Sequence, residues 1–169
     1  MEDGFKLEQV AIRLVPEAAV WDTDPIRSPE RAVEVLGKYI RDMDREAVCV
    51  VNFNARLQPI NFQIVSIRTL DQALCEPREI LKAAILSNAN SMMILHNHPA
   101  GSITPSGSDM QMTERMEKVC DLVGIPLMDS IIIGFGREDY FSFRDASMLV
   151  EQNQQSDRAA EERSGRGGR

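Results

Sequence analysis

Ser91-Met92-Met93-Ile94-Leu95-His96-Asn97-His98-Pro99-Ala100-Gly101, followed after Thr104-Pro105 by Ser106-Gly107-Ser108-Asp109, is the stretch that decides the fold. Ser91 to Leu95 is a short apolar run of strand length, and it predicts a buried strand leading into the chain's two histidines. Successive side chains of a strand point to opposite faces, so His96 and His98 share one side and can chelate one ion. Pro99, Gly101 and Pro105 then force an irregular turn. Ser106 caps a helix with Met112, Met116, Val119, Cys120 and Val123 at helical spacing and Gly124 as its stop. The methionines there read as core. Asp109 lies in the first turn of that helix, where it can supply a third ligand. Two imidazoles and one carboxylate, with a fourth position open, have the stoichiometry of a catalytic zinc site. Each piece also has a plainer reading: satisfied polar residues at a strand end, and a capping box in which Asp109 only steadies the helix N-terminus.

Outward from this stretch, Pro77 opens a helix with Ile80, Leu81, Ala84 and Ile85 on its apolar face. Ala47–Phe53 is a nearly continuous run of β-prone residues, and Ile60–Ile67 alternates before shifting register at Val65, so two strands joined by a turn near 54–59 are expected. Ser28-Pro29-Glu30 starts a helix expected to end near Asp44, with apolar residues at 32, 33, 35, 36, 39, 40 and 43. Strands are expected at 126–133 and 140–143, with a short helix at 146–150. Residues 1–27 suit an N-terminal strand and extended arm. The tail, 151–169, has no bulky apolar residue and is expected to be disordered. The domain thus runs over 28–150.

The 169 residues suit one domain with a real core. No apolar run approaches the ~20 residues that cross a bilayer, and the N-terminus is acidic with no apolar signal region, so a non-exported cytoplasmic protein with no membrane partner is expected. The formal charge of −7 disfavours generic attraction to a phosphate backbone. Cys49, Cys75 and Cys120 are odd in number and never spaced as C-x-x-C, which reads as buried free thiols rather than a disulfide framework or a cysteine zinc finger.

His96-Asn97-His98-Pro99-Ala100-Gly101 with Thr104-Pro105-Ser106 and Asp109 resembles the JAMM metal-binding motif of RadC-like proteins. Pro77-Arg78-Glu79-Ile80, Asn88-Ala89, Leu127-Met128-Asp129 and Ile131-Ile132-Ile133-Gly134 are similar to that family too. The resemblance covers roughly 28–145, the JAMM (MPN/JAB) domain, without the helix-hairpin-helix region at the start of full-length RadC proteins, and implies a bacterial or mobile-element protein. It implies an α/β chain of the α+β type: a curved mixed sheet flanked by helices, of cytidine-deaminase-like architecture. It also implies zinc held by His96, His98 and Asp109, with Ser106 helping to hold an oxyanion.

Two positions depart from the family pattern. Counting back without gaps from Pro77-Arg78-Glu79, the position of the family's glutamate base falls on Gln63, which can orient a water but cannot accept its proton. Ser130 stands where RadC-like chains usually have the histidine of an Asp-His pair. Two functions are therefore expected in competition. One is a zinc-dependent metallopeptidase acting on a peptide or isopeptide bond, slowed by Gln63 or rescued by Glu76 or Glu79. The other is a binding module that keeps its metal without turnover. A role in DNA repair or mobile-element transfer, and with it a nucleic-acid partner, rests on family analogy alone.

Overall fold

Five strands and three helices alternate along the chain in a computed structural model that describes residues 11, 13–17, 25–67, 76–136 and 138–149. The order is α1 (Pro29–Leu36), a 3-10 turn (Gly37–Tyr39), β1 (Ala47–Phe53), β2 (Pro59–Ile67), α2 (Pro77–Leu86), β3 (Ser91–His98), α3 (Gly107–Val123), β4 (Leu127–Gly134) and β5 (Tyr140–Ser142). The sheet order is β2-β1-β3-β4-β5. Every neighbouring pair is antiparallel except β3 and β4, which are parallel and joined through the crossover helix α3. The sheet is mixed and open. This is the α+β architecture that the resemblance to JAMM domains implies.

Both faces of the sheet are covered, which is why its central strands read as continuous apolar runs. On one face Cys49, Val51, Phe53, Met93, Leu95, Ile131 and Ile133 pack beneath α1 and Ile40. On the other, Val48, Val50, Met92, Ile94 and Leu127 pack beneath Ile80, Leu81 and Ala84 of α2 and Met112, Met116 and Cys120 of α3. Odd positions of β1 and β3 thus face α1, and even positions face α2 and α3. The α3 methionines are core residues, as their spacing suggests.

The punctuation residues act where expected. Ser28 Oγ accepts a hydrogen bond from the Arg31 amide at the start of α1, and Pro77 opens α2. Gly124 ends α3 in the left-handed region at φ 71°, a conformation that suits glycine.

Three expectations are corrected. The first helix ends at Leu36 instead of running to Asp44. Gly37 is a poor helix-interior residue; the amides of Ile40 and Arg41 both return to its carbonyl, tightening the chain before the turn into β1. Tyr39, Ile40 and Met43 still pack on the core, so the apolar period continues without α-helix. Residues 146–149 form turns, not a helix, with Ser147 at φ 56° breaking any helical run. The strand expected over 91–95 continues through both histidines to His98. Residues 13–17 carry no regular structure; the rest of the expected N-terminal strand, up to residue 24, and the 151–169 tail lie outside the described residues.

Cys49 and Cys120 are fully buried, and burial pushes both thiols up to about 12, with Glu117 adding to the effect at Cys120. The thiolate is the reactive form. Iodoacetamide at pH 8 is therefore expected to spare both in the native protein and to modify both in 6 M guanidinium, read by peptide mass mapping. Rapid native labelling of Cys49 would contradict the packing described.

Candidate metal centre

His96 and His98 are even-numbered positions of β3, so they project towards α3, on the same face as Met92 and Ile94. Their partners across β4 are Ile132 and Gly134. A Cβ at Gly134 would lie 2.9 Å from the Gly101 carbonyl oxygen, so only glycine lets the loop after His98 close against the end of β4. Gly101 turns that loop at φ 80°. The chain then enters α3 through a capping box: Ser106 Oγ accepts from the Asp109 amide, and Asp109 Oδ2 accepts from the Ser106 amide at 2.8 Å. The box swings the Asp109 carboxylate back towards the histidines, where it is buried.

The side chains of His96, His98 and Asp109 each bring a ligand atom to within 4.8 Å of the others. His98 Nδ1 donates to the Ser102 carbonyl at 2.7 Å, which leaves the Nε2 lone pair for the site. That Nε2 lies 3.3 Å from Asp109 Oδ2. His96 Nε2 lies 3.3 Å from Asp109 Oδ1, but neither ring nitrogen of this buried histidine has a hydrogen-bond partner. Lone pairs aimed at one another repel unless a cation sits between them. The pKa directions express the same fact. Burial opposes charge on Asp109, yet the facing imidazoles and the Ser106 hydroxyl outweigh it and hold the carboxyl well below the usual range. Asp109 holds the His98 imidazole above its ordinary value, against burial and with help from the Ser102 carbonyl and, more weakly, Glu46. The donor set, two imidazole nitrogens and a carboxylate, fits a metal ion.

Residues 26–148 match the RadC-like JAB domain family. The chain belongs to that family. It is similar to a UPF0758 protein of Chlorobaculum parvum, 38% identical over 124 residues, which are 73% of this chain and 55% of that protein. Another, from Aquifex aeolicus, is 36% identical over 124 residues, 73% of this chain and 52% of that protein. A third, from Streptococcus sanguinis, is 28% identical over 138 residues, 82% of this chain and 60% of that protein. The chain spans about half the length of the curated relatives it matches. Among the described residues no helix is long and apolar enough to cross a membrane.

The other RadC-like candidates fall in different places. Ser106 is exposed, and its hydroxyl donates to Asp109 Oδ2 at 2.6 Å, so it holds the carboxylate in position. Gln63 pairs with Val50, and through it with Ile94, which puts it on the histidine face of the sheet. It is, however, two strands and two residues from His96, so its Cα is roughly 12 Å from that of His96 by standard strand spacings. Its Oε1 is buried without a partner. Ser130 is buried and accepts from Thr113 Oγ1 at 3.1 Å, a hydroxyl pair that ties α3 to β4. Glu79 is held by Lys82 at 2.6 Å, and Glu76 lies 3.3 Å from Arg115.

The residue that sequence reasoning missed is Glu46. The β1–β3 pairing ends at Val48 and His96, and Glu46 stands two residues before Val48 as His98 stands two after His96. It is half-buried, and its negative charge is felt at His98. The available signal was an acid immediately preceding an apolar strand, Glu46 before Ala47–Phe53.

The pKa directions set the pH dependence of the metal-free protein. Asp109 is lowered, so its stabilisation is present above the ordinary carboxylate range and lost as pH falls. His98 is raised, so its stabilisation is complete below 6.5 and lost as pH rises through its elevated value. With EDTA present, the melting temperature is expected to fall between pH 6.5 and 9, and His98→Gln to flatten that slope. With zinc the trend between about pH 5.5 and 7.5 reverses, because imidazoles must lose protons to bind metal. Calorimetry showing one slope for both forms would contradict the site.

Proposed function

We propose that the chain is a zinc-dependent hydrolase of amide or isopeptide bonds, with His96, His98 and Asp109 as metal ligands and Glu46 as the group that moves the proton. The observation that carries this reading is the convergence of three ligand atoms within 4.8 Å, with the charge of half-buried Glu46 felt at His98. Zinc suits a two-nitrogen, one-oxygen donor set with a position left open. When bound it supplies a Lewis acid that polarises a carbonyl and brings the pKa of a water to about 7.

The remaining chemistry belongs to the chain. The Glu46 carboxylate accepts the proton of the attacking water and returns it to the leaving nitrogen, a role worth about 10²- to 10⁴-fold in rate. Ser102, through Nδ1 of His98, keeps Nε2 aimed into the site. The Ser106 hydroxyl gives its one proton to Asp109 Oδ2 at 2.6 Å, so its part is to steady that ligand and not to donate to an oxyanion. A second reading, a metal-holding module without turnover, is favoured by Gln63, an amide where ungapped spacing puts the family's glutamate. Glu46 answers that objection by offering a carboxylate one strand from the histidines.

The test uses the zinc-loaded full chain and a fluorogenic lysine-Nε isopeptide together with a fluorogenic peptide library. Glu46→Gln is expected to keep one zinc per chain and lose at least about 100-fold in kcat, while Gln63→Glu changes kcat only a few-fold. A Gln63→Glu gain of about 100-fold, with Glu46→Gln silent, would move the base to β2 and overturn the assignment. Zinc binding without turnover in any form would favour the binding module.

A further inference from the structure

Between the two histidines, Asn97 points to the opposite face of β3 and is fully buried, among the apolar residues beneath α1. Its amide is bonded entirely to backbone of the segment that enters β1. Oδ1 accepts from the Ala47 N–H at 2.6 Å, and Nδ2 donates to the carbonyls of Arg45 at 3.1 Å and Met43 at 3.3 Å. Arg45 C=O belongs to the peptide plane before the Glu46 Cα, and Ala47 N–H to the plane after it. A planar peptide leaves a residue only φ and ψ to vary, and tying down both flanking planes fixes both angles at Glu46. The direction in which the Glu46 side chain leaves the backbone is thereby set by a residue whose two neighbours are the metal-ligating histidines.

We infer that Asn97 is a positioning residue: it locks Glu46 to the strand that carries His96 and His98, so that the proton-moving carboxylate and the metal ligands hold one geometry. This rests on the assignment of Glu46 under the proposed function. Only a side chain with one acceptor and two donors in a short planar fork can make all three bonds. Aspartate lacks the donors, serine reaches one partner at most, and glutamine carries an extra methylene into a fully buried position. The arrangement also explains why the histidines need an amide between them while the core around that position is apolar.

The test compares wild type, Asn97→Ser and Asn97→Asp as full-length, zinc-loaded chains whose folding is checked by circular dichroism. Readouts are zinc affinity, hydrogen exchange at the Ala47 amide, and kcat and KM on the isopeptide probe. Asn97→Ser is expected to speed Ala47 exchange, to leave zinc affinity and KM within about threefold, and to lower kcat by about 10- to 100-fold, the scale of a misplaced catalytic group. Asn97→Asp, which keeps the Ala47 bond and loses the other two, should fall between. The double variant Asn97→Ser with Glu46→Gln should then lose no more than Glu46→Gln alone, since both act through one carboxylate. Fully additive losses in kcat, or a loss of zinc that matches the loss of rate, would overturn the inference. If wild type binds zinc and turns over neither probe, the proposed function fails separately. The positioning is then read from zinc alone: Glu46→Gln weakens zinc binding in wild type but not in the Asn97→Ser background, and an equal effect in both overturns it.

Discussion

A strand sends successive side chains to opposite faces, and β3 depends on that constraint along its whole length. From Ser91 to Leu95 both faces are covered, so the alternation feeds two cores at once. At 96–98 the same alternation delivers two imidazoles to the α3 side and one amide to the α1 side. Central placement in the sheet makes this rigid, because β1 and β4 hold β3 on both edges. The rest follows from finishing what β3 starts. Gly134 admits the loop that reverses the chain, Ser106 and Asp109 close the cap of α3 over the histidines, and the segment entering β1 brings the charge of Glu46 within reach of His98.

The cap of α3 has two tasks that physical chemistry makes compatible. A carboxylate in the first turn of a helix is favoured by the unpaired amides there, and Asp109 uses Oδ2 to take the Ser106 amide. Its carboxylate is then both a structural acceptor and a charge held opposite two imidazoles. Without a cation the cluster carries a penalty: a buried histidine with neither nitrogen bonded, and lone pairs facing lone pairs. A metal that binds only the folded form relieves it and stabilises the fold by mass action, by about 2.7 kcal/mol when its free concentration is a hundred times Kd.

Much of this was legible in the sequence for local reasons. The apolar run before the histidines, the serine-to-aspartate cap and the Pro and Gly punctuation act within a few residues, where propensity and period speak directly. What was not legible depended on pairing at long range. The helix after Ser28 kept its apolar period past Leu36, because Tyr39, Ile40 and Met43 still pack on the core although the chain tightens at Gly37. Gln63 was placed by counting back from Pro77, a count that carries no information about which strands lie side by side. Glu46 is fifty-two residues from His98 in the chain, yet its charge is felt there, because β1 pairs with β3 across the whole β2–α2 excursion. No spacing rule within one segment reveals that neighbour; the sheet order does.

The central claim is that His96, His98 and Asp109 form a ready-made metal-binding set. X-ray absorption at the zinc edge of the zinc-loaded full chain addresses it directly. The account predicts a low-coordinate shell of nitrogen and oxygen at about 2.0 to 2.2 Å, including the outer-shell scattering of two imidazoles. A sulfur contribution at about 2.3 Å would put the ion on a cysteine. That result, or the signature of fewer than two imidazoles, would contradict the account.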